Sequence, residues 1–468
     1  MSKHLVLVAA GMLLLLAAIN STAMAVAFPV ITSSLNASLV LAGWVLSIYQ
    51  LVATVAMPMA GKASDVFGRR VTLIACLALF TAGSLLCAVA PSIELLILAR
   101  AIQGVGGGGF LPTLVGIAVD EFPKARQRVI GLFSSFFPMG QIIGPNLGGW
   151  MIQSFGWRSV FWFNVPFGLG GLIAAVVLIP AGRKEEGHMD IKGAVLFAGF
   201  LFAFMIGLSA LGDSSGRLPW ITPWLLFAAG GLMLHAFLRR ENTAMDPIID
   251  PVLLRARPFL AANIYNFVFG AGAVGVLSFV PLYAVSIYGM SVLKSGLILT
   301  PRSVGMMVAS TVTSVFLMRW GYRRPIIAGT GAIVLSLVLL GMGSSAMNIL
   351  AIQLNSTLLL SAVMLLSGLG MGVVAPAANN ACIDLMPQRT ATITGVRGMF
   401  RQSGGALSIA ITTLVLHNVG DTAWGFQLVF MGLAGVLLLS LPLVFAMPGG
   451  PQAVPVGEDG DAPGHQAR

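Results

Sequence analysis

Apolar residues fall in blocks of about twenty along nearly the whole chain, separated by short stretches of turn formers and charge. A helix rises 1.5 Å per residue, so about twenty residues cross the ~30 Å hydrocarbon core of a bilayer. The blocks lie near 5–30, 41–60, 71–90, 95–119, 127–152, 158–181, 191–211 and 221–238, then near 259–287, 293–318, 325–345, 357–381, 391–417 and 425–447. They predict fourteen spanning helices. The first resembles a secretory signal ending at Ala23-Met24-Ala25, but its apolar run continues to Val30, which makes it a spanning helix. The longest polar link runs only from Arg239 to Pro258, which leaves no room for a soluble catalytic domain. After Pro448 the chain is rich in Pro, Gly and acids and is expected to form a disordered tail.

Composition agrees with a lipid-solvated chain: 57% of residues are hydrophobic and 9% charged, against roughly 25% charged in a soluble domain. The net charge of +10 would suit nucleic acid, but the Lys and Arg residues sit at the ends of the apolar blocks. Lys62, Arg69, Arg70, Arg239, Arg240, Arg323 and Arg324 gather on alternate links, which puts that side, and both termini, on the cytoplasmic face. Cys76, Cys87 and Cys382 lie within apolar segments without metal-like spacing and read as structural.

The chain also repeats itself. Gly104, Gly106, Gly108, Pro112, Asp120 and Pro123 recur 264 positions later as Gly368, Gly370, Gly372, Pro376, Asp384 and Pro387. That offset equates helix 4 with helix 12, eight helices apart, which fits a duplicated six-helix unit with two helices between the copies. The domain reading is a first bundle at 1–182, an inserted pair and link at 183–257, a second bundle at 258–447 and a tail at 448–468.

Three segments carry candidate chemistry. Gly61-Lys-Ala-Ser-Asp65-Val-Phe-Gly68-Arg69-Arg70 links helices 2 and 3; its glycines permit a tight turn, and Asp65 can cap a helix start or pair with a nearby Arg. Such a link can latch one state of a rocking bundle, or simply be a solvated basic loop. A degenerate copy, Gly321-Tyr-Arg-Arg324, lacks the acid and has Met318 in its place. Helix 4 holds Arg100 and Gln103 before Gly104-Val-Gly-Gly-Gly-Gly109. Its GxGxxG is no dinucleotide motif, because no strand precedes it, and the glycines instead allow close helix approach. An Arg inside an apolar helix is a functional-site hypothesis by default. Helix 5 carries Gly140, Gly144, Pro145, Gly148 and Gly149, a kink with small residues at tight-crossing spacing.

Together these motifs resemble the major facilitator superfamily, and specifically its fourteen-helix drug:proton antiporter branch. Trp157-Arg158 with Phe161, Asn164, Val165, Pro166 and Gly168 adds to the likeness, as do Pro281-Leu-Tyr283, Pro301 and Arg401-Gln-Ser-Gly-Gly405. The likeness spans about residues 10–445. It implies an all-α membrane fold of two six-helix bundles plus two inserted helices, 61–70 as the conformational latch, 140–149 as the antiporter motif, Arg100 in proton coupling, and efflux by alternating access. It further implies a monomer in the inner membrane of a bacterium, with no cofactor.

One departure matters. The branch usually carries an acid in helix 1, and here Asn20 occupies that place while Ala25 replaces an Asn. Asn20 cannot titrate, and no acid or histidine falls in the middle third of a predicted helix; Glu94 or Asp120, taken as near Arg100, are the fallback proton carriers. Arg100, Arg302, Arg397 and Arg401 lie within apolar runs, so the cavity is expected to be neutral to positive and to suit uncharged or anionic amphipathic molecules. The arginines could equally snorkel or satisfy carbonyls. Tyr49, Gln50, Gln103, Gln141, Asn146, Asn263, Asn266, Tyr283, Asn379 and Asn380 are further cavity candidates. The expected function is a secondary exporter of small organic molecules. Proton antiport is what the resemblance implies, and an uncoupled facilitator or anionic-metabolite carrier is the alternative. A membrane enzyme would need a clustered His, Asp or Glu constellation, and a receptor a soluble domain; neither is visible.

Overall fold

A computed structural model of the chain describes residues 3–122, 126–179, 190–211, 219–244, 256–343, 355–385 and 390–450. The tail after 450, much of the 239–258 link, Pro123, Pro387 and the side chain of Asp120 lie outside them. Among the described residues all regular structure is helical. The first eight helices are α1 (Lys3–Ser34), α2 (Leu39–Val66), α3 (Arg69–Val89), α4 (Ile93–Glu121), α5 (Arg126–Phe155), α6 (Arg158–Leu178), α7 (Ile191–Leu211) and α8 (Thr222–Glu241). The second half contains α9 (Arg257–Gly270), α10 (Val280–Tyr288), α11 (Val292–Leu297), α12 (Thr300–Trp320), α13 (Arg323–Met342), α14 (Ser356–Ile383), α15 (Thr390–Asn418) and α16 (Thr422–Phe445).

Two expected helices are interrupted. Between α9 and α10 the backbone widens into a π-turn at Ala271–Gly275 and tightens into a 3₁₀ turn at Val276–Phe279. The sequence Ala-Gly-Ala-Val-Gly offers little side-chain packing to hold a regular spiral. The expected helix at 293–318 is split into α11 and α12, with Pro301 in the first turn of α12, where its missing N–H costs nothing. Counting each interrupted pair as one crossing gives fourteen crossings among the described residues, and ten spans are long and apolar enough to cross a membrane on length and composition alone. At four of the helix starts on the side assigned to the exterior, side chains accept orphan N–H groups: Ser38 for α2, Ser92 for α4, Asn355 for α14 and Asp421 for α16.

Packing is duplicated. In the first six helices α4 packs against α2 and α3, α1 against α5, and α3 against α6; in the second set α14 packs against α12 and α13, α9 against α15, and α13 against α16. The repeated glycines explain the match. Built as alanine, Gly104 and Gly108 would strike the backbone of α2 at Tyr49 and Ala53, and Gly106 that of α3 at Cys76 and Phe80. Gly368 and Gly372 meet α12 at Arg302 and Met306, and Gly370 meets α13 at Gly329 and Ile333. Tyr49 to Arg302, Ala53 to Met306, Cys76 to Gly329 and Phe80 to Ile333 are each 253 residues apart. Without lipid-to-water transfer to drive them together, these helices associate through close van der Waals packing, which only glycine permits here.

The inserted helices α7 and α8 pack on one another, and α7 leans on both α2 and α15. Trp44 of α2 donates its indole N–H to Ser209 of α7 at 2.7 Å, and Leu51, Met205, Ala406 and Ala410 form one small buried cluster there. The two sets of six meet along α2 and α15, and along α1 and α5 in the outer halves. Phe28 meets Phe279 edge-on at 5.2 Å, Asn146 and Thr300 exchange hydrogen bonds of 2.8 and 3.0 Å, and Gly149 abuts Leu293.

Glycine-to-valine changes separate the seams from the lipid face. Gly108→Val and Gly372→Val should each lower the melting temperature of the detergent-purified protein, at a cost of about 1–3 kcal/mol or more. Gly331→Val, which meets nothing within 4 Å, should leave it unchanged, as differential scanning fluorimetry would record.

Candidate functional site

Five helices of the first bundle bring their polar residues to one buried point. Arg100 stands in the second turn of α4, about 10 Å along the helix at 1.5 Å per residue and deeper than the sequence-based start of that helix implied. It is 2% exposed. Its Nε donates to the Val45 carbonyl of α2 at 3.1 Å and its Nη1 to Gln103 Oε1 at 2.6 Å, while the guanidinium lies 4.3 Å from the centre of the Tyr49 ring. Phe161 of α6 closes the other side at 6.0 Å. Gln103 then donates from Nε2 to Ser84 Oγ of α3 at 2.8 Å and, more weakly, to Asn20 Oδ1 of α1 at 3.4 Å. Asn164 of α6 donates to the same Asn20 oxygen at 2.8 Å.

The arrangement is a chain of donors running from a cation to a neutral acceptor. Among the described residues no carboxylate bonds to Arg100, so its charge is balanced by a carbonyl, an amide oxygen and two π faces. A desolvated cation–π contact contributes about 2 kcal/mol, and an unpaired buried charge costs far more. Asn20 offers its oxygen to two donors as a carboxylate would, but carries no charge; its own Nδ2 and the Asn164 Oδ1 are buried without partners.

The fallback acids are not at this point. Glu94 is exposed in the first turn of α4, six residues and so most of two turns from Arg100, on a different face. Asp120 lies in the last turn, roughly 30 Å along the axis from Arg100. Neither is a neighbour of the guanidinium, because helix geometry separates positions that look close in a linear motif.

The latch segment also differs from a loop. Gly61 through Val66 continue α2, and the link is only Phe67 and Gly68, the latter at φ 94°, a conformation that favours glycine. Asp65 pairs with Arg69 at 3.7 Å across the turn, and Arg69 lies against Gly116 of α4; no side chain caps the start of α3. Arg70 reaches the end of α6, donating to Val176 O at 2.6 Å. Arg323, 253 residues on, repeats this by donating to Phe445 O and Met447 O at the end of α16. The Tyr322 hydroxyl donates to Asp384. Burial, together with the Asp384 carboxylate, pushes the Tyr322 phenol well above its ordinary range, so it stays a donor. The antiporter-motif glycines lie on α1: Gly140 meets Ala18, Gly144 meets Thr22 and Ile19, and Gly148 meets Ala23, while Gly149 and the Pro145 backbone face α11 of the other bundle.

The remaining cavity candidates divide into groups. Tyr49 belongs to the Arg100 network. Gln50 is buried nearby in sequence with its Oε1 unpartnered. Gln141 and Asn146 sit at the seam between bundles, where Ser303 donates to Gln141 O at 3.0 Å and Asn146 pairs with Thr300. Asn263 and Asn266 spend their N–H groups on α9 carbonyls and leave their oxygens unpartnered. Arg302 donates to Ala273 O, in the π-turn, at 2.7 Å, and Arg401 lies on α15 with Nε unpartnered. Ser84 was missed from sequence; its only signal is the small Gly83-Ser84 pair, where Gly83 lets α3 touch the Gln103 backbone.

Comparison with known proteins matches this architecture. The chain is 30% identical over 408 residues to the multidrug transporter protein MdtP of Bacillus subtilis, covering 86% of this chain and 73% of that protein. It is 29% identical over 427 residues to the tetracenomycin C resistance and export protein of Streptomyces glaucescens, covering 89% and 76%. Among solved structures, a POT family transporter in complex with 5-aminolevulinic acid superposes with a TM-score of 0.68 at 15% identity, covering 94% of each chain.

Removing Gln103 should damage the network more than removing its end. Gln103→Leu leaves an Arg100 N–H without its acceptor, at about 1–3 kcal/mol, and removes one donor each from Ser84 and Asn20, which keep Phe80 O and Asn164 as partners, whereas Ser84→Ala takes only one acceptor from Gln103. Thermal unfolding of the two variants should show the larger loss for Gln103→Leu; equal losses would mean that Gln103 is not the hub.

The family pattern described as Major Facilitator Superfamily matches residues 10–409, and this multi-pass membrane protein belongs to that superfamily.

Proposed function

We propose that this chain exports small amphipathic organic molecules, uncharged or anionic, across the inner membrane of a bacterium by alternating access. The bundles at 1–182 and 258–447 act as the two rocking bodies, 183–257 as the inserted pair, and the chain works as a monomer. Relatives named for multidrug transport and for resistance and export support the direction and the cargo class. Duplicated packing supports the mechanism, because two similar bodies meeting along α2–α15 and α5–α12 seams can exchange which end is closed.

The observation that carries the reading is the Arg100 network. A cation held by neutral acceptors in the first bundle leaves the transport path without a fixed negative group there, which disfavours cationic cargo. Proton antiport through helix 1 needs a group that gains and loses a proton at position 20, and Asn20 does neither. The same network therefore favours an uncoupled carrier over proton exchange at that site.

Reconstitution into liposomes separates these statements. Wild type should carry an uncharged or anionic amphipathic fluorophore faster than empty liposomes do, at a rate that a pH gradient leaves unchanged. Asn20→Asp should make that rate respond to the gradient. Failure of wild type to move any amphipath would overturn the exporter reading, and acceleration of wild type by the gradient would overturn the uncoupled one.

A further inference from the structure

The second bundle holds two cations that the Arg100 network does not use. Arg397 and Arg401 lie one turn apart on α15 and so share a face of that helix. Both are half-buried, and both Nε atoms are fully buried with no acceptor. Among the described residues no hydrogen bond or ion pair reaches either guanidinium, and each raises the cost of the other by like-charge repulsion. Around them, Asn266 of α9 and Cys382 of α14 are joined at 3.5 Å, and the oxygens of Asn263, Asn266 and Asn379 are buried without donors. Among the described residues no carboxylate bonds to or pairs with either arginine. On the far side, Gly398 lies beside Met57 of α2, so this face of α15 stands where the two bundles meet.

Arg100 shows what this protein does with a buried guanidinium it intends to keep neutralised: every direction is filled by a carbonyl, an amide or an aromatic ring. Arg302 leaves its Nε unpartnered, but its Nη2 has the Ala273 carbonyl. Arg397 and Arg401 have neither. Two guanidiniums a turn apart in low dielectric need an anion between them far more than they need a packing neighbour. Paired forks present several N–H donors to one anionic group, the geometry that carboxylate, sulfonate and phosphate oxygens fit.

We infer that Arg397 and Arg401 form an anion-binding site in the second bundle, that the exported molecule carries a carboxylate, sulfonate or phosphate group, and that the membrane potential draws it out. The inference rests on the exporter reading above and extends it. It also supplies a driving force that Asn20 does not. The cytoplasm is electrically negative, so an anion loaded at the inner end of a carrier runs downhill to the outside without any proton. For a monoanion, 100 mV corresponds to about 2.3 kcal/mol, or roughly fifty-fold accumulation. A cation would be driven the wrong way, consistent with an acid-free, arginine-bearing path.

Two readouts on the purified full chain test this. The first is equilibrium binding of radiolabelled naphthalene-1-sulfonate in detergent, with naphthyl-1-trimethylammonium as the matched cation. The second is flux of both probes in liposomes whose potential is set by potassium and valinomycin. Wild type should bind the sulfonate and not the ammonium. Arg397→Gln with Arg401→Gln should lose that binding, while Arg397→Lys with Arg401→Lys retains part of it, which separates lost charge from misfolding. Sulfonate should accumulate on the positive side, with a concentration ratio whose logarithm rises linearly with the potential. Equal sulfonate binding by wild type and the Gln pair, or preferred binding of the cation, would overturn the anion site. Intact, arginine-dependent binding with no flux of either probe would instead overturn the exporter reading on which the inference rests.

Discussion

The structure depends on how one positive charge is kept in a region without water. Arg100 cannot be deprotonated at any useful pH, and taking it out of water is costly unless every donor is met. The first bundle is arranged to meet them: α2 contributes the Val45 carbonyl and the Tyr49 ring, α6 contributes the Phe161 ring, and Gln103 of α4 accepts from the guanidinium and is itself held by Ser84 of α3 and Asn20 of α1, with Asn164 of α6 behind Asn20. Five helices are thus tied to one side chain. The tie also sets the chemistry of the site, because its far end is an amide and not an acid.

Around that tie the two halves are built from the same packing code. Alternate glycines on α4 and α14 face two different neighbours each, and the Arg at the start of α3 and of α13 closes the end of the sixth helix of its own bundle. These contacts are internal to each bundle. Contacts between bundles are fewer in kind: an aromatic pair, an Asn–Thr exchange and glycine seams in the outer halves. Rigid bodies joined by a limited seam are what alternating access requires. The two bundles differ where it matters for cargo, since the first satisfies its arginine internally and the second leaves Arg397 and Arg401 open.

Much of this was legible in the chain. The 264-residue repeat identified the paired helices, because glycines needed for close approach keep their spacing while lipid-facing residues drift. Asn20, Arg100 and Gln103 could be singled out because polar groups in an apolar run must have partners. Their partners could not: Ser84 and the Val45 carbonyl give no signal in helices that are apolar on every face. Two features were misleading. Lys62, Ser64 and Asp65 read as a loop, yet a helix that emerges from the bilayer continues with polar residues through Val66. Glu94 and Asp120 looked like neighbours of Arg100, but helical rotation and rise carry them elsewhere. The π-turn at Ala271–Gly275 had no signal beyond a run of small residues; Arg302, distant in sequence, supplies the donor for the carbonyl it frees.

The central claim is that transport proceeds without a titrating group in the first bundle. Its most direct test is the number of protons moved per substrate molecule, measured in liposomes that report internal pH and transported anion together. The account predicts that wild type moves anion with no stoichiometric proton flux, at any pH where the protein is folded. A fixed ratio of one proton or more per molecule carried would contradict it, and would place a titratable group on the path that the Asn20–Gln103–Arg100 network does not contain.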